Sequence, residues 1–587
     1  MTRLLANAMG YLRPEHGLVE PTSGYPREGW NDDPVTGLRL RRFTQLTAIG
    51  SWMELLAEVA GGYADSPYLS RTEALVRLEH MVDSLLADQR DPRLSDRGLL
   101  CNFMGFGPKG REAPLASVAR KSDFREAFGP VEGEAVWQAL NRHGWLKAWQ
   151  GDEGAEILRE GDYGEGGFTG ELAVYNQAET RVKIMAILDR KVLQIIYGDN
   201  ANLAASAAKT QGTLMDPAVR DTVTAGRICE KLEFFIEAQR PGYEYLYDEK
   251  RGLFRFGWNA SDRQFVGWAV DGGEWQAGHS DYLVNEFRGP TQFVVIRYGL
   301  PLDALRNLGF WIKGRAMAGG GHVFTLAPWE GSAFQAFGLS LFMRELTVPG
   351  WRAVLENAVR INLDYSRLHR LPGFLTESYT GNGVEYTGRS GVPDLTVDQK
   401  PRVTNAPSLY TLGVAYSILP EEVETFLGEE WPAISGLFTR HGPWEGMRVD
   451  SGKRVECQTA AHVVALILGG IGRGSAAMSR YVDERGFAGE WARVYPWGER
   501  VDLLGPEAKA VVWAPGGGGI QGQAVKGSYR LWGAPGKKGA ITWTFPGRAG
   551  GVSPSDGELR LRYSNAGSAV GATLAFEDRV SGNRSVA

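Results

Sequence analysis

The chain has 587 residues, 23% of them charged, and a formal net charge of −5. That length suggests two to four domains, although single large barrels also reach it. The charge balance leaves no basic footprint for nucleic acid, and no apolar run is long enough to insert in a membrane. Aromatic residues make up 11%, with 18 Trp and 21 Tyr. They suit a cleft that stacks flat apolar faces, although core anchors and exposed singles account for most of them.

Cys101, Cys229 and Cys457 are odd in number, far apart and without CxxC spacing, so neither a disulfide framework nor a zinc site is expected. Cys229 falls on an apolar helical face and is expected in the core. The N-terminal MTRLLANAMGYLRPEHG lacks the long apolar centre of a secretory signal. The chain is therefore expected to be intracellular, or else periplasmic or secreted with a signal removed ahead of Met1.

Residues 1–42, rich in Gly, Pro and charge, predict an extended lead-in. The first strong helix is expected at 43–60, where Phe43, Leu46, Ile49, Trp52, Leu56 and Val59 recur at intervals of three or four before Gly61 and Gly62. A second, at 71–87, opens on Ser70 and Glu73 in capping-box spacing and pairs with the first as a hairpin. Asp83, Asp88, Asp91 and Asp96 follow around a turn; they match no calcium loop and predict a solvated turn.

Helical patterns return at 133–148 and 177–197. In GDNANLAASAA (198–208), Asp199 and Asn200 stand where an N-cap would sit, and Asp216-Pro217 opens a further helix running to about 239. The segment YEYLYDEKRGLFRFGWN alternates around a turn and predicts a β-hairpin. Helices are expected again at 282–297, 301–313, 330–346, 350–365, 405–417, 420–428, 457–470 and 473–484. So many antiparallel helices with Gly-rich loops predict a mainly α fold, a closed toroid of paired helices over 43–494. An α-solenoid would need a repeat of fixed length, which is absent. Beyond 495, short alternating segments such as AKAVVWAP and GAITWTF predict a small β-sandwich accessory domain.

Two carboxylates stand out, Glu286 in HSDYLVNEFRGPTQF and Glu377 in FLTESY, each set among aromatic and small polar residues. Cleavage of a glycosidic bond needs such a pair, one to protonate the leaving oxygen and one to serve the opposite face of the sugar. With 69 Asp and Glu in the chain, most acids are surface charges, and Glu286 read alone fits a helix-start carboxylate favoured by the macrodipole.

The segments QLTAIGSWMELLA, GDNANLAA, YLYDEKRGLFRFGWN, DYLVNEFRGPTQF, WEGSAF, GFLTESY and GPWEGMR stand in an order, over residues 40–485, that resembles the glucoamylase-like (α/α)6 domain. That domain is shared by the transglycosylating part of cyclic β-1,2-glucan synthases and, more distantly, by bacterial endo-β-1,2-glucanases. The resemblance implies Glu286 as acid/base and Glu377 as nucleophile or general base. It also implies a β-1,2-glucan substrate cleaved internally, with hydrolysis favoured over transglycosylation. Separations of about 5–5.5 Å and about 6.5–9.5 Å between the carboxyls would mean retention and inversion respectively.

The chain departs from the family in two places. Gly289-Pro290 interrupts the helix expected after Glu286, so that helix is bent or begins later. Gln335 replaces the acid expected near the end of WEGSAF, with Glu330 five positions earlier.

Around the pair, Asp199 is weighed between cap and sugar contact, and Asp281 and Glu330 are reserve acids. Glu445 and Tyr379 are candidates for orienting substrate, His279 and His322 for binding hydroxyls, and Trp275, Trp329 and Trp444 for stacking on rings. The partner expected is an oligo- or polysaccharide; no metal or other cofactor is called for. A hydrolase or transglycosylase acting on another bacterial polysaccharide, a polysaccharide lyase and a non-catalytic glycan-binding protein are the competing readings.

Overall fold

A computed structural model of the chain describes residues 1–33, 37–107, 110–113, 118–148, 154–157, 163–164, 167–269, 275–381 and 386–495. It also describes strands at 509–513, 520–525, 528–532, 538–546, 556–564, 575–577 and 584–586. The fold is mainly helical.

Two helices at its centre, Leu46–Gly61 and Tyr197–Leu214, pack face to face. Small residues (Gly50, Ala57, Ala201, Ala204, Ala205, Ala208) let their backbones approach, and a Cβ on Gly50 would stand 2.9 Å from Ser206. In each helix one residue alone is only partly buried: Thr47 in the first and Asp199 in the second. Leu46–Gly61 also packs on Arg71–Arg90 and Ala460–Ile471; Tyr197–Leu214 packs on Thr222–Glu237, Arg288–Tyr298 and Gly474–Glu484. Tyr410–Ile418 joins Ala460–Ile471 to Pro420–Glu429, and Pro349–His369 covers Ala333–Phe337. One hydrophobic core runs through these helices, with Trp52, Phe235, Phe293 and Tyr481 among its anchors.

Several boundaries differ from expectation. Residues 1–42 are not a lead-in. Thr2–Ala8 is helical, and the Gly29–Asp33 strand pairs antiparallel with Cys457–Thr459, placing Trp30 Nε1 2.7 Å from Gln458 Oε1. A chain start without helical periodicity still orders when its backbone is taken up by a partner strand 428 positions away. Asp88 is not solvated but buried, accepting from the Tyr25 hydroxyl at 2.7 Å and pairing with Arg111 at 2.6 Å. The helix placed at Asp216 starts at Thr222, capped by Asp221, whose Oδ1 accepts from Thr224 N at 3.0 Å. The Ser70 cap forms as expected.

The expected helices at 133–148 and 177–197 belong to a small α/β unit with its own core of Phe124, Trp137, Trp145 and Phe168. Its helices are Lys121–Phe128, Pro130–Arg142 and Ala178–Leu188, beside a sheet of Val118–Arg120, Gly154–Ile157 and Leu146–Ala148. The helix expected at 301–313 shrinks to Asp303–Arg306, and the strand Gly309–Ala316 takes over, paired with His322–Leu326. Ile520–Val525 pairs with the other edge of Gly309–Ala316, so part of the C-terminal strand region continues a sheet that starts within the helical body. Lys509–Trp513, Lys538–Pro546 and Asp556–Ser564 form a separate antiparallel sheet.

Among the described residues no single helix is long and apolar enough to cross a membrane, and no group of three His, Cys, Asp or Glu is placed to hold a metal ion. All three cysteines are buried and free.

Candidate active site

A cavity of about 460 Å³ opens where the helices beginning at Leu46, Tyr197, Arg288, Ala333, Tyr410 and Ala460 present their first turns. Thr47, Asp199, Phe287, Phe334, Tyr410 and His462 line it from those turns. Helix N-termini carry partial positive charge, so their convergence favours anionic side chains in the space between them. Glu286 and Glu377, 91 positions apart, both line this cavity.

Glu286 lies just before its helix. Arg288 opens the helix and Pro290 falls within the first turn, where a missing N–H costs nothing, so Gly289-Pro290 delays the start instead of bending the helix. The turn carrying Glu286 is held from several sides. Phe287 N donates to Asn285 Oδ1 at 2.8 Å, Trp329 N to the Val284 carbonyl at 3.0 Å, and the Tyr282 hydroxyl to the Ala327 carbonyl at 2.7 Å. Behind it Arg288, fully buried, pairs with the equally buried Glu345 at 3.1 Å.

Glu377 stands on a loop pinned between two helix starts. Its N–H donates to Ser332 Oγ at 3.2 Å, and its carbonyl accepts from the Tyr410 hydroxyl at 3.0 Å. Thr376 bonds the same Tyr410 hydroxyl at 2.8 Å.

Burial is the main cause that pushes Glu286 up to about 7, and the charges of Asp199 and Glu330 add to it. Glu377 is raised well above the carboxylate range by burial, then by the charges of Glu286, Glu330 and Asp199. Asp199 is pushed up to about 6 by burial, partly offset by the Thr47 hydroxyl donating to it at 3.2 Å. The glutamates act on each other and therefore ionise as a pair, which keeps a proton available in the cavity near neutral pH.

The other singled-out residues divide by place. Asp199 is in the cavity wall, in the first turn of its helix; the cap expected there does not form. Glu330 is raised by burial and is electrostatically felt by both glutamates. Gln335 is buried and holds Glu330, accepting from its N–H at 3.0 Å. Tyr379 sits edge-on to the cavity residue Tyr386 at 5.2 Å, with the Arg41 guanidinium over its ring.

Outside the lining lie Asp281, exposed, and His279, buried against Asp248 at 3.0 Å. Trp275 and Trp329 are 38% and 42% exposed. Trp329 packs edge-on to Tyr282, and the Trp275 indole donates to the Phe265 carbonyl. His322, at the exposed end of its strand, stacks on Phe324. Trp444 also lies outside the lining, buried 5.0 Å from Trp30. Glu445 is buried as well, bonded to His462.

Sequence reasoning passed over Thr47, Tyr386, Tyr410 and His462, all cavity residues. Three of them share one signal, a polar or aromatic residue in the first turn of an otherwise apolar inner helix.

The mainly helical body shares its fold with solved endo-β-1,2-glucanases and glucoamylase-type proteins. No protein-family model and no curated protein matches the sequence. Among solved structures the chain is similar to the endo-β-1,2-glucanase of Talaromyces funiculosus in complex with sophorose, with a TM-score of 0.59 and 12% identity over 85% of this chain and 90% of that one. It is also similar to the endo-β-1,2-glucanase of Chitinophaga pinensis bound to sophorotriose and glucose, at TM-score 0.50 and 12% identity, covering 84% and 98%. A glucoamylase-type protein of Bacteroides caccae gives 0.51 and 12%, again over 84% and 98%. At these identities the likeness is one of fold.

Proposed function

We propose that the chain is a glycoside hydrolase that cleaves β-glucan internally, with β-1,2-glucan its substrate, through Glu286 as proton donor and Glu377 as nucleophile or general base. The observation that carries this reading is the pair of half-buried carboxyls, both raised by their surroundings, on one cavity large enough for sugar rings. A donor must hold its proton at the working pH; the two carboxyls titrate as a pair that retains a proton near neutrality, and Glu286 is given the donor's role on the family resemblance of its segment. Phe256, Phe287, Phe334, Tyr386 and Tyr410 supply apolar faces for the rings, and Gln45, Asn102, Gln194 and Asn202 supply hydroxyl partners.

The scaffold is assigned to an (α/α)6 toroid, a reading supported by the succession of contacts from Leu46–Gly61 through Tyr197–Leu214 and Arg288–Tyr298, and from Tyr410–Ile418 through Ala460–Ile471 back to Leu46–Gly61. The strands after residue 509 are assigned to a β-sandwich accessory domain.

Reducing ends released from linear β-1,2-glucan test the reading. Wild type is expected to produce a ladder of short oligosaccharides. Glu286→Gln and Glu377→Gln should each lose on the order of 10²–10⁴-fold in kcat. Wild-type turnover in both variants would remove the proposed site. Binding of the glucan without any release by wild type would leave a glycan-binding protein.

A further inference from the structure

His462 is the third residue of the Ala460–Ile471 helix, buried, and part of the cavity wall beside Glu377. Its imidazole is fixed on two sides. Its ring lies on Tyr410, centroids 3.9 Å apart and planes within 7°, and the Tyr410 hydroxyl is the group that donates to the Glu377 carbonyl. On its far edge Nδ1 bonds Glu445 Oε1.

Glu445 is itself immobile. Its N–H donates to the Cys457 carbonyl at 2.9 Å, and its carbonyl accepts from Ser408 Oγ at 2.8 Å. A carboxylate accepts only, so Nδ1 must carry the proton, and neutral imidazole then has a bare lone pair at Nε2. No group among the described residues bonds Nε2.

We propose that His462 is a substrate-binding residue whose Nε2 accepts a hydrogen bond from a sugar hydroxyl in the cavity, and that Glu445 is a positioning residue that sets its tautomer. A neutral acceptor suits the site. Asp199, Glu286 and Glu377 already crowd negative charge into one space. Another carboxylate would add to that repulsion, whereas an imidazole accepts a hydroxyl without added charge. Glu445 therefore acts on the sugar only through His462. The hydroxyl donor is the substrate of the proposed function, so this inference rests on that reading.

Turnover of linear β-1,2-glucan by wild type, His462→Ala, His462→Gln and Glu445→Gln tests it, with thermal midpoints measured alongside. His462→Ala is expected to lose on the order of tenfold in kcat/KM, mainly through KM. His462→Gln, which can place an amide oxygen near the position of Nε2, should recover most of the loss. Glu445→Gln, which can present either its oxygen or its NH2 to Nδ1, releases the fixed tautomer and should lower kcat/KM toward that of His462→Ala while keeping a wild-type midpoint. Nitrogen NMR of the imidazole should find the proton on Nδ1 in wild type.

An active wild type with an unaffected His462→Ala, with no recovery in His462→Gln, or with the proton on Nε2 overturns this proposal alone. A wild type that releases nothing from the glucan overturns the proposed function and this proposal together.

Discussion

Burial raises Asp199, Glu286, Glu330 and Glu377, the neighbouring acids add to the rise at Glu286 and Glu377, and holding these groups together makes the protein pay for its site in stability at neutral pH. The sign follows from linkage: a carboxyl held above its unfolded value binds its proton more tightly in the folded chain. Its contribution is full below the unfolded value of about 4 and is lost as pH rises through the folded one. For Asp199 and Glu286 those folded values are about 6 and about 7. The thermal midpoint should therefore fall between pH 5 and pH 7.5. Glu286→Gln, which keeps the shape and removes the titration, should flatten that fall and be at least as stable as wild type at pH 7.5. A variant less stable than wild type at pH 7.5, with the slope intact, would contradict the assignment. The alkaline limb of the pH profile follows the same group, so kcat/KM should decline as pH rises past about 7 and the donor ionises.

Between helices, the distance from the Tyr197–Leu214 helix to the turn holding Glu286 is set by a missing methyl group. A Cβ on Gly198 would stand 1.7 Å from Phe287 Cδ1, so Gly198→Ala must displace the ring next to Glu286. The expected outcome is a loss of about 1–3 kcal/mol in stability from overpacking. A loss of about 100-fold in kcat should accompany it, because small misplacements of a reacting group are costly. Denaturant melts and initial rates measure both; an active Gly198→Ala would show that Glu286 does not need this placement.

The long apolar helices and the pair of glutamates were legible because periodicity and residue order survive in the letters. Leu46–Gly61, Arg71–Arg90 and Pro349–His369 lie close to expectation. Their starts were not legible: Phe43–Gln45 and Cys457–Thr459 continue the apolar pattern of the following helix yet pair as strands with distant segments. The same blindness hid Tyr410 and His462, whose place in the cavity depends on where each helix begins.

Across the whole molecule the two ends of the helical body are tied together. The Met1 amino group pairs with Glu424 at 2.9 Å, and Trp30, 1% exposed, donates its indole N–H to Gln458 and packs against Trp444. Trp444 immediately precedes the Glu445 that holds His462, so the N-terminal strand supports the cavity from behind. Trp30→Ala should cost about 3–5 kcal/mol by denaturant unfolding, the range for a buried large aromatic. A cost below about 1 kcal/mol would mean that this strand is not part of the cooperative body.

Glu286 and Glu377 are expected to face one glycosidic bond from opposite sides. A crystal of Glu286→Gln soaked with a linear β-1,2-gluco-oligosaccharide would show it. The expected density is a sugar in the cavity whose linking oxygen lies about 2.6–3.2 Å from the residue 286 amide, with Glu377 across the ring from it. Sugar bound only outside the cavity, or a linkage out of reach of both side chains, would contradict it.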